Sequence, residues 1–182
     1  MPSAYVILVN ESDDQIGTME KMEAHKKALL HRAFSVFIFN SKGEMLLQQR
    51  ADRKYHSAGL WTNACCSHPF PGEDTQSGAL RRLQEELGFI TPIEKLYSFI
   101  YRAEFENGLT EFEFDHVFAG IYDEPVFPDQ QEIKDFCFKG MKEIEASLLS
   151  HPWKYTAWFA IAFPAINEWA CKKFGKRIAE LC

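Results

Sequence analysis

With 182 residues, 46% hydrophobic and 14% aromatic, the chain has the size and apolar content of a single domain, residues 1–182, around a buried core. A formal net charge of −6 and a pI near 5.5 argue against nucleic acid or an anionic membrane surface as the main partner, because both require a basic face. An anionic substrate would have to be met by local positive charge.

The opening MPSAYVILVNESDD has neither a basic leader region nor a long apolar run, so no secretory signal is expected and the chain reads as cytoplasmic. AYVILV, residues 4–9, reads as a strand, and residues 18–30 as a helix or an irregular charged segment. Residues 33–50 read as a hairpin around Gly43, its first strand apolar on both faces. From Thr75 to Leu87, Ala79, Leu80, Leu83 and Leu87 recur at helical spacing, with Asp74 or Thr75 to cap the start and Gly88 to end it. Two long strands joined through ENG follow, KLYSFIYRAEF and TEFEFDHVFAGIY, and IKDFCFK is a shorter one. Residues 143–149 and 153–181 read as helices, the second interrupted at Pro164. AWFAIAFPAI, residues 157–166, is about half the length of a membrane span and reads as buried core, so no membrane insertion is expected. The pattern predicts an α+β fold, a mixed sheet flanked by helices.

The five cysteines, Cys65, Cys66, Cys137, Cys171 and Cys182, are odd in number, and adjacent cysteines suit an ordinary disulfide poorly, so free thiols are expected. NACCSHP, residues 63–69, crowds two thiols against His68 and raises three readings: disulfide, metal site or reactive thiol. On a strand, TEFEFDH sends Glu111, Glu113 and Asp115 to one face and Phe112, Phe114 and His116 to the other. Taken alone, that is an amphipathic strand with a solvated acidic face. If His25, His31 and His68 gathered at two of these carboxylates, three imidazoles and two carboxylates would suit Mg²⁺, Mn²⁺ or Zn²⁺.

In RRLQEELG, residues 81–88, Arg82 and Glu86 are one helical turn apart. Together Ser67, Glu73, Arg81, Arg82, Leu83, Glu85, Glu86, Gly88 and Phe89 follow the frame of the Nudix box, a loop-helix-loop that presents carboxylates to metal and diphosphate. Two positions depart from it: Ser67 replaces the usual Gly, and Arg82 replaces a Glu with which Nudix hydrolases bind metal.

With LLHRAFSVFIFN, LLQQR, AGLWTN, YRAEF, TEFEFDHVF and PWKYTAWF around NACCSHP and this altered box, nearly the whole chain resembles the type 1 isopentenyl diphosphate isomerases. The resemblance implies interconversion of isopentenyl and dimethylallyl diphosphate, by protonation and deprotonation through a tertiary carbocation. It implies Cys66 and Glu113 as the proton-transfer pair, either being acid or base, with Tyr101 assisting at Glu113 and Trp158 facing the cation. Trp61 would be a second wall and Cys65 a bystander. His25, His31, His68, Glu111 and Glu113 match the family's metal ligands, for Mn²⁺, Mg²⁺ or Zn²⁺. A diphosphate-bridging Mg²⁺ is implied at Glu86 with the backbone carbonyl of Cys66, and Lys21, Arg50, Lys54 and Arg82 as the diphosphate's cations. Ala58 stands where the family has proline. The expected partner is a small isoprenoid diphosphate, and the expected state a monomer. The alternatives are a Nudix pyrophosphohydrolase, kept open by Glu73, Glu85 and Glu86, and a non-enzymatic metal-stabilised binding module.

Overall fold

The computed structural model describes residues 5–54 and 56–178. Its first elements depart from the helix or irregular charged segment expected at 18–30. Strands β1 (Tyr5–Val9) and β2 (Gln15–Glu20) pair antiparallel, and only Lys21–Lys26 is helical, as α1. β2 has no buried residue, so its backbone ladder with β1 left no apolar period to read. The Glu20 carboxylate accepts from the Glu23 backbone N–H at 2.9 Å, ending the strand and capping the helix.

The other strands are β3 (His31–Phe39), β4 (Met45–Arg50), β5 (Trp61–Thr62), β6 (Cys65–Ser67), β7 (Ile93–Glu104), β8 (Thr110–Ile121) and β9 (Ile133–Lys139). The other helices are α2 (Thr75–Leu87), α3 (Met141–Ser150) and α4 (Ala157–Ile178), with a 3₁₀ turn at Pro152–Lys154. Residues 179–181 of the expected last helix lie outside the described residues.

β3 and β4 are joined by the turn at Gly43 (φ 80°), but their ladder stops after Phe39 opposite Met45. Beyond it β4 pairs with β5 and β9, while β3 pairs antiparallel with β6 and parallel with β8. β7 and β8 form the long antiparallel pair read from the sequence. This makes β3 the axis of the sheet, buried everywhere except Arg32.

Its alternation separates two cores. Phe34, Val36 and Ile38 pack with Ala79, Leu83 and Leu87 of α2, and Phe37 and Phe39 pack with Phe159, Phe163 and Ile166 of α4. Helix α2 has the expected bounds, with Asp74 accepting from Ser77 N–H at 3.0 Å and Gly88 at φ 79°. A Cβ on Gly88 would lie 2.7 Å from the Phe127 carbonyl oxygen, so close approach requires glycine as well as conformation. Helix α4 is not interrupted at Pro164. The carbonyl that proline leaves without an N–H partner is that of Ala160, on the exposed side where water can satisfy it, while Phe159, Phe163 and Ile166 hold the other side down.

Candidate active site

Period two decides which face each functional side chain occupies. Along β8, Glu111, Glu113 and Asp115 turn toward α4 and are buried, 5%, 7% and 1% exposed, which overturns the solvated acidic face that the strand alone suggested. Burying three carboxylates is costly unless each finds a partner. Strand register supplies them: His31 of β3 and Tyr101 of β7 stand on either side of Glu113 in one cross-strand row.

Glu113 Oε1 lies 2.9 Å from His68 Nε2 and 3.5 Å from His31 Nε2. Its Oε2 accepts from the Tyr101 hydroxyl at 2.6 Å, and the same hydroxyl is 3.1 Å from Glu111 Oε2. His25 and His31 each point Nδ1 at a backbone carbonyl, of Lys21 and Leu29, both at 2.7 Å. Those nitrogens must therefore carry the protons, and the Nε2 lone pairs are left facing the carboxylates, the tautomer a metal ligand needs. His31 Nε2 is buried without a hydrogen bond. Ligand atoms of His25, His31, His68 and Glu113 all lie within 4.8 Å of one another, and so do those of His25, His56 and Glu111. The five expected ligands thus come together as two overlapping groups sharing His25, and these residues fit a divalent cation.

His56 was not read from the sequence; its place between Lys54 and Trp61, in a segment already holding candidate residues, was the available signal. Its Nε2 is 3.1 Å from Glu111 Oε1. Burial, aided by Arg50 and Lys21, brings His56 down to about 3, and burial brings His68 to about 3 despite Glu113. Both imidazoles are therefore neutral. Burial pushes Glu111 up, as does the Glu113 charge beside it. At Glu113 burial acts the same way but is outweighed by His31 and His68, which hold it well below the usual carboxylate range.

The neighbouring cysteines separate. Cys66 faces the cavity under α4, whereas Cys65 is buried in the α2 core, its Sγ 3.8 Å from Glu86 Oε1. The Cys66 thiol donates to Asn63 Oδ1 at 3.1 Å and lies 3.5 Å from Ser35 Oγ, whose own proton goes to Asp115 Oδ2 at 2.7 Å. Asn63 cannot flip, since its amide donates to Val36 and Cys65 carbonyls at 3.0 and 2.9 Å. Thr62 donates to Asn63 Oδ1 and Thr156 to Thr62, both at 2.9 Å, tying the thiol to the start of α4. Burial and the Asp115 charge push the Cys66 thiol up, so the resting group is S–H.

Two residues beyond Thr156, Trp158 lines the cavity, with Arg50 5.3 Å from its ring centroid. Trp61, expected as a second wall, is not among the lining residues; His56 stands there, edge-on to Trp158 with centroids 6.0 Å apart. The cavity is about 70 Å³, room for roughly two waters, and adjoins an outer basin of about 750 Å³. Lys21, Lys54, Ser67, His68 and Arg82 border both.

The profile of the NUDIX domain family matches residues 29–159. An isopentenyl-diphosphate Delta-isomerase of Pectobacterium atrosepticum is 44% identical over 169 residues, covering 93% of this chain and 94% of the relative. Isopentenyl-diphosphate Delta-isomerase 1 of Aromatoleum aromaticum is 47% identical over 153 residues, 84% and 86% of the two chains. The chain belongs to the isopentenyl-diphosphate Delta-isomerase family. Among solved structures, a Deinococcus radiodurans protein matches with a TM-score of 0.74 at 17% identity, covering 88% of this chain and 98% of its own. A MutT protein of Methanosarcina mazei matches at 0.62 and 20% identity, over 76% and 94%. Both likenesses concern the fold.

Membership of this isomerase family, within the NUDIX superfamily, makes the state of α2 informative. Arg82 donates to Glu85 Oε2 at 2.8 Å and to Glu86, and lies 3.7 Å from Glu132, which also pairs with Lys54. Glu86, 3% exposed, further accepts from Gln48 at 3.2 Å and does not line the inner cavity. Arg81 clasps Glu73 through two bonds of 2.8 and 2.9 Å. The carboxylates of the altered box are thus spent on arginines. Among the described residues no helix is long and apolar enough to cross a membrane, and Cys65, Cys66, Cys137 and Cys171 are free thiols.

Proposed function

We propose that this chain interconverts isopentenyl and dimethylallyl diphosphate. The observation that carries the reading is that a thiol, Cys66, and a hydroxyl–carboxylate pair, Tyr101–Glu113, line one small cavity with Trp158. Moving a double bond by one carbon needs a proton delivered at one carbon and another removed at a second, without water to capture the cation between. Cys66 and Glu113 are the two proton-transfer groups. Tyr101, donating to Glu113 at 2.6 Å, links that carboxylate to the cavity. Trp158 offers its ring face to the carbocation, a desolvated contact worth up to ~2 kcal/mol.

A divalent cation, Mn²⁺, Mg²⁺ or Zn²⁺, held by His25, His31, His68, Glu111 and Glu113 would supply fixed positive charge beside the Glu113 carboxylate and so set its proton affinity. Mg²⁺ arriving with the diphosphate would be held by Glu86 and the Cys66 carbonyl as Arg82 turns from Glu86 to the phosphate, and would supply positive charge to it. Lys21, Arg50, Lys54 and Arg82 neutralise the diphosphate, the arginines by paired N–H donors. Arg82 and Lys54 rest on Glu132, and exchange that carboxylate for phosphate oxygens when substrate arrives. A monomeric cytoplasmic enzyme is part of the same proposal, the compartment being supported by the free thiols.

Arg82 on Glu86 is the observation against pyrophosphate hydrolysis. Incubation with isopentenyl diphosphate and divalent metal should give dimethylallyl diphosphate, with deuterium incorporated from D₂O and loss of turnover in chelator. Metal-replete protein that leaves the substrate unchanged, or that releases phosphate from nucleoside diphosphate derivatives instead, would overturn the proposal.

A further inference from the structure

The isomerisation reading gives His56 no part, yet it is 7% exposed and lines the cavity. The loop between β4 and β5 bends through two left-handed residues, Ser57 at φ 50° and Gly59 at φ 72°, and Arg50 donates to the His56 carbonyl at 3.3 Å. Turned inward by that bend, the imidazole stacks on Phe105, with centroids 4.5 Å apart and planes at 16°. Its plane is thereby set, and the nitrogen left to face inward is the Nε2 that meets Glu111 Oε1 at 3.1 Å.

That separation has a second meaning. Two donors bound at right angles to one ion, each about 2.1 Å from it, stand about 3.0 Å apart. His56–Glu111 at 3.1 Å and His68–Glu113 at 2.9 Å both match such an edge. The two groups of convergent ligand atoms share His25, and the expected ligands are divided between them, so a single ion that draws Glu111 to Glu113 would bring His56 with it.

We propose that His56 is a sixth ligand of this centre, so that one ion is held by four imidazoles and two carboxylates. The proposal rests on reading the His/Glu cluster as a metal centre. A set of four nitrogens and two oxygens favours an imidazole-preferring ion such as Fe²⁺ or Zn²⁺ over Mg²⁺, and Mn²⁺ serves as its spectroscopic probe. It also leaves no open coordination position, which suits an ion that acts on Glu113 and not on water or substrate directly.

The test is a count of coordinated nitrogens. Wild-type protein and the His56→Ala and His56→Gln variants, each loaded with one equivalent of Mn²⁺, are compared by pulsed electron paramagnetic resonance with ¹⁴N- or ¹⁵N-histidine, and affinity is measured by chelator competition. The expected result is four imidazole nitrogens in the wild type and three in both variants, with Kd raised about tenfold or more. Three nitrogens in wild type and variants alike would overturn the proposal, even if affinity fell, because His56 would then only hydrogen-bond to Glu111. The wild-type count decides this whether or not a variant folds. Wild-type protein that binds no Mn²⁺ at histidine would remove the metal-centre reading itself, a distinct failure.

Discussion

On the α4 face of the sheet Glu111 and Glu113 are buried among His25, His31, His56 and His68, whereas on the α2 face Glu86 is buried against Arg82. A carboxylate removed from water must be met by positive charge or keep its proton. On α2 the resting counter-charge is built into the chain: an arginine four residues earlier lies on the same helical face. On the α4 face burial holds His25, His56 and His68 down, the last two to about 3, and the compensation is left to Lys21, Arg50 and, on the proposed reading, a metal ion. The same carboxylates can therefore be structural or catalytic according to whether the sequence supplies their counter-charge. Arg82 thus neutralises Glu86 in the resting protein and stands as a cation at the mouth of the other site.

The largest effects should come from the proton-transfer groups, and they should separate the thiol from the metal cluster. Cys66→Ala and Glu113→Gln are each expected to lower kcat by about 10³-fold or more, within the range for losing a general acid or base. Only Glu113→Gln should also weaken metal binding, as measured by chelator competition. Equal loss of metal in both variants would mean that the thiol belongs to the metal centre.

Next is a pH effect confined to the α4 face. A buried imidazole whose value falls from about 6.5 unfolded to about 3 folded binds fewer protons in the native state. Stability from that group is complete above 6.5 and is lost as pH falls toward 3. In metal-free protein, wild type should lose about 2 kcal/mol between pH 7 and 5 relative to His68→Gln, read from urea midpoints; the burial-raised Glu111 and Asp115 act oppositely but cancel in the difference. A constant difference across that range would show that His68 takes up protons as readily in the fold as in the unfolded chain.

On the α2 face, Arg82→Glu should raise KM for the diphosphate about tenfold, the scale of one charge-assisted hydrogen bond, with kcat less affected. It should also give α2 a measurable Mg²⁺ affinity by calorimetry, because Glu86 loses its internal cation. An unchanged KM would remove Arg82 from substrate binding while leaving its ion pair intact.

How much of this was legible in the sequence follows how local each determinant is. Helix α2 was readable to the residue because Asp74, the apolar spacing and Gly88 act within a few turns. The β7–β8 pair was readable because its turn is local. β2 was not, since a backbone ladder with β1 carries no side-chain signature. Nor did the alternation of TEFEFDH say which face is buried. That depends on the parallel register setting His31 opposite Glu113, across about eighty residues of chain. The resemblance supplied the ligand set that geometry then gathered, and it was silent about His56, whose direction depends on the bend at Ser57 and Gly59.

The smallest expected effect concerns the residue beside the thiol. Cys65→Ala leaves the backbone of β6 and its pairing with β3 in place, and removes one sulfur from the α2 core near Glu86. Stability should fall by about 1 kcal/mol, the scale of a small buried group. Turnover should stay within about twofold, because successive residues of a strand point to opposite faces and Cys65 packs in the α2-side core. A loss of kcat approaching that of Cys66→Ala would show that Glu86, the Cys65 neighbour, governs the thiol through the sheet. The two faces would then be one site.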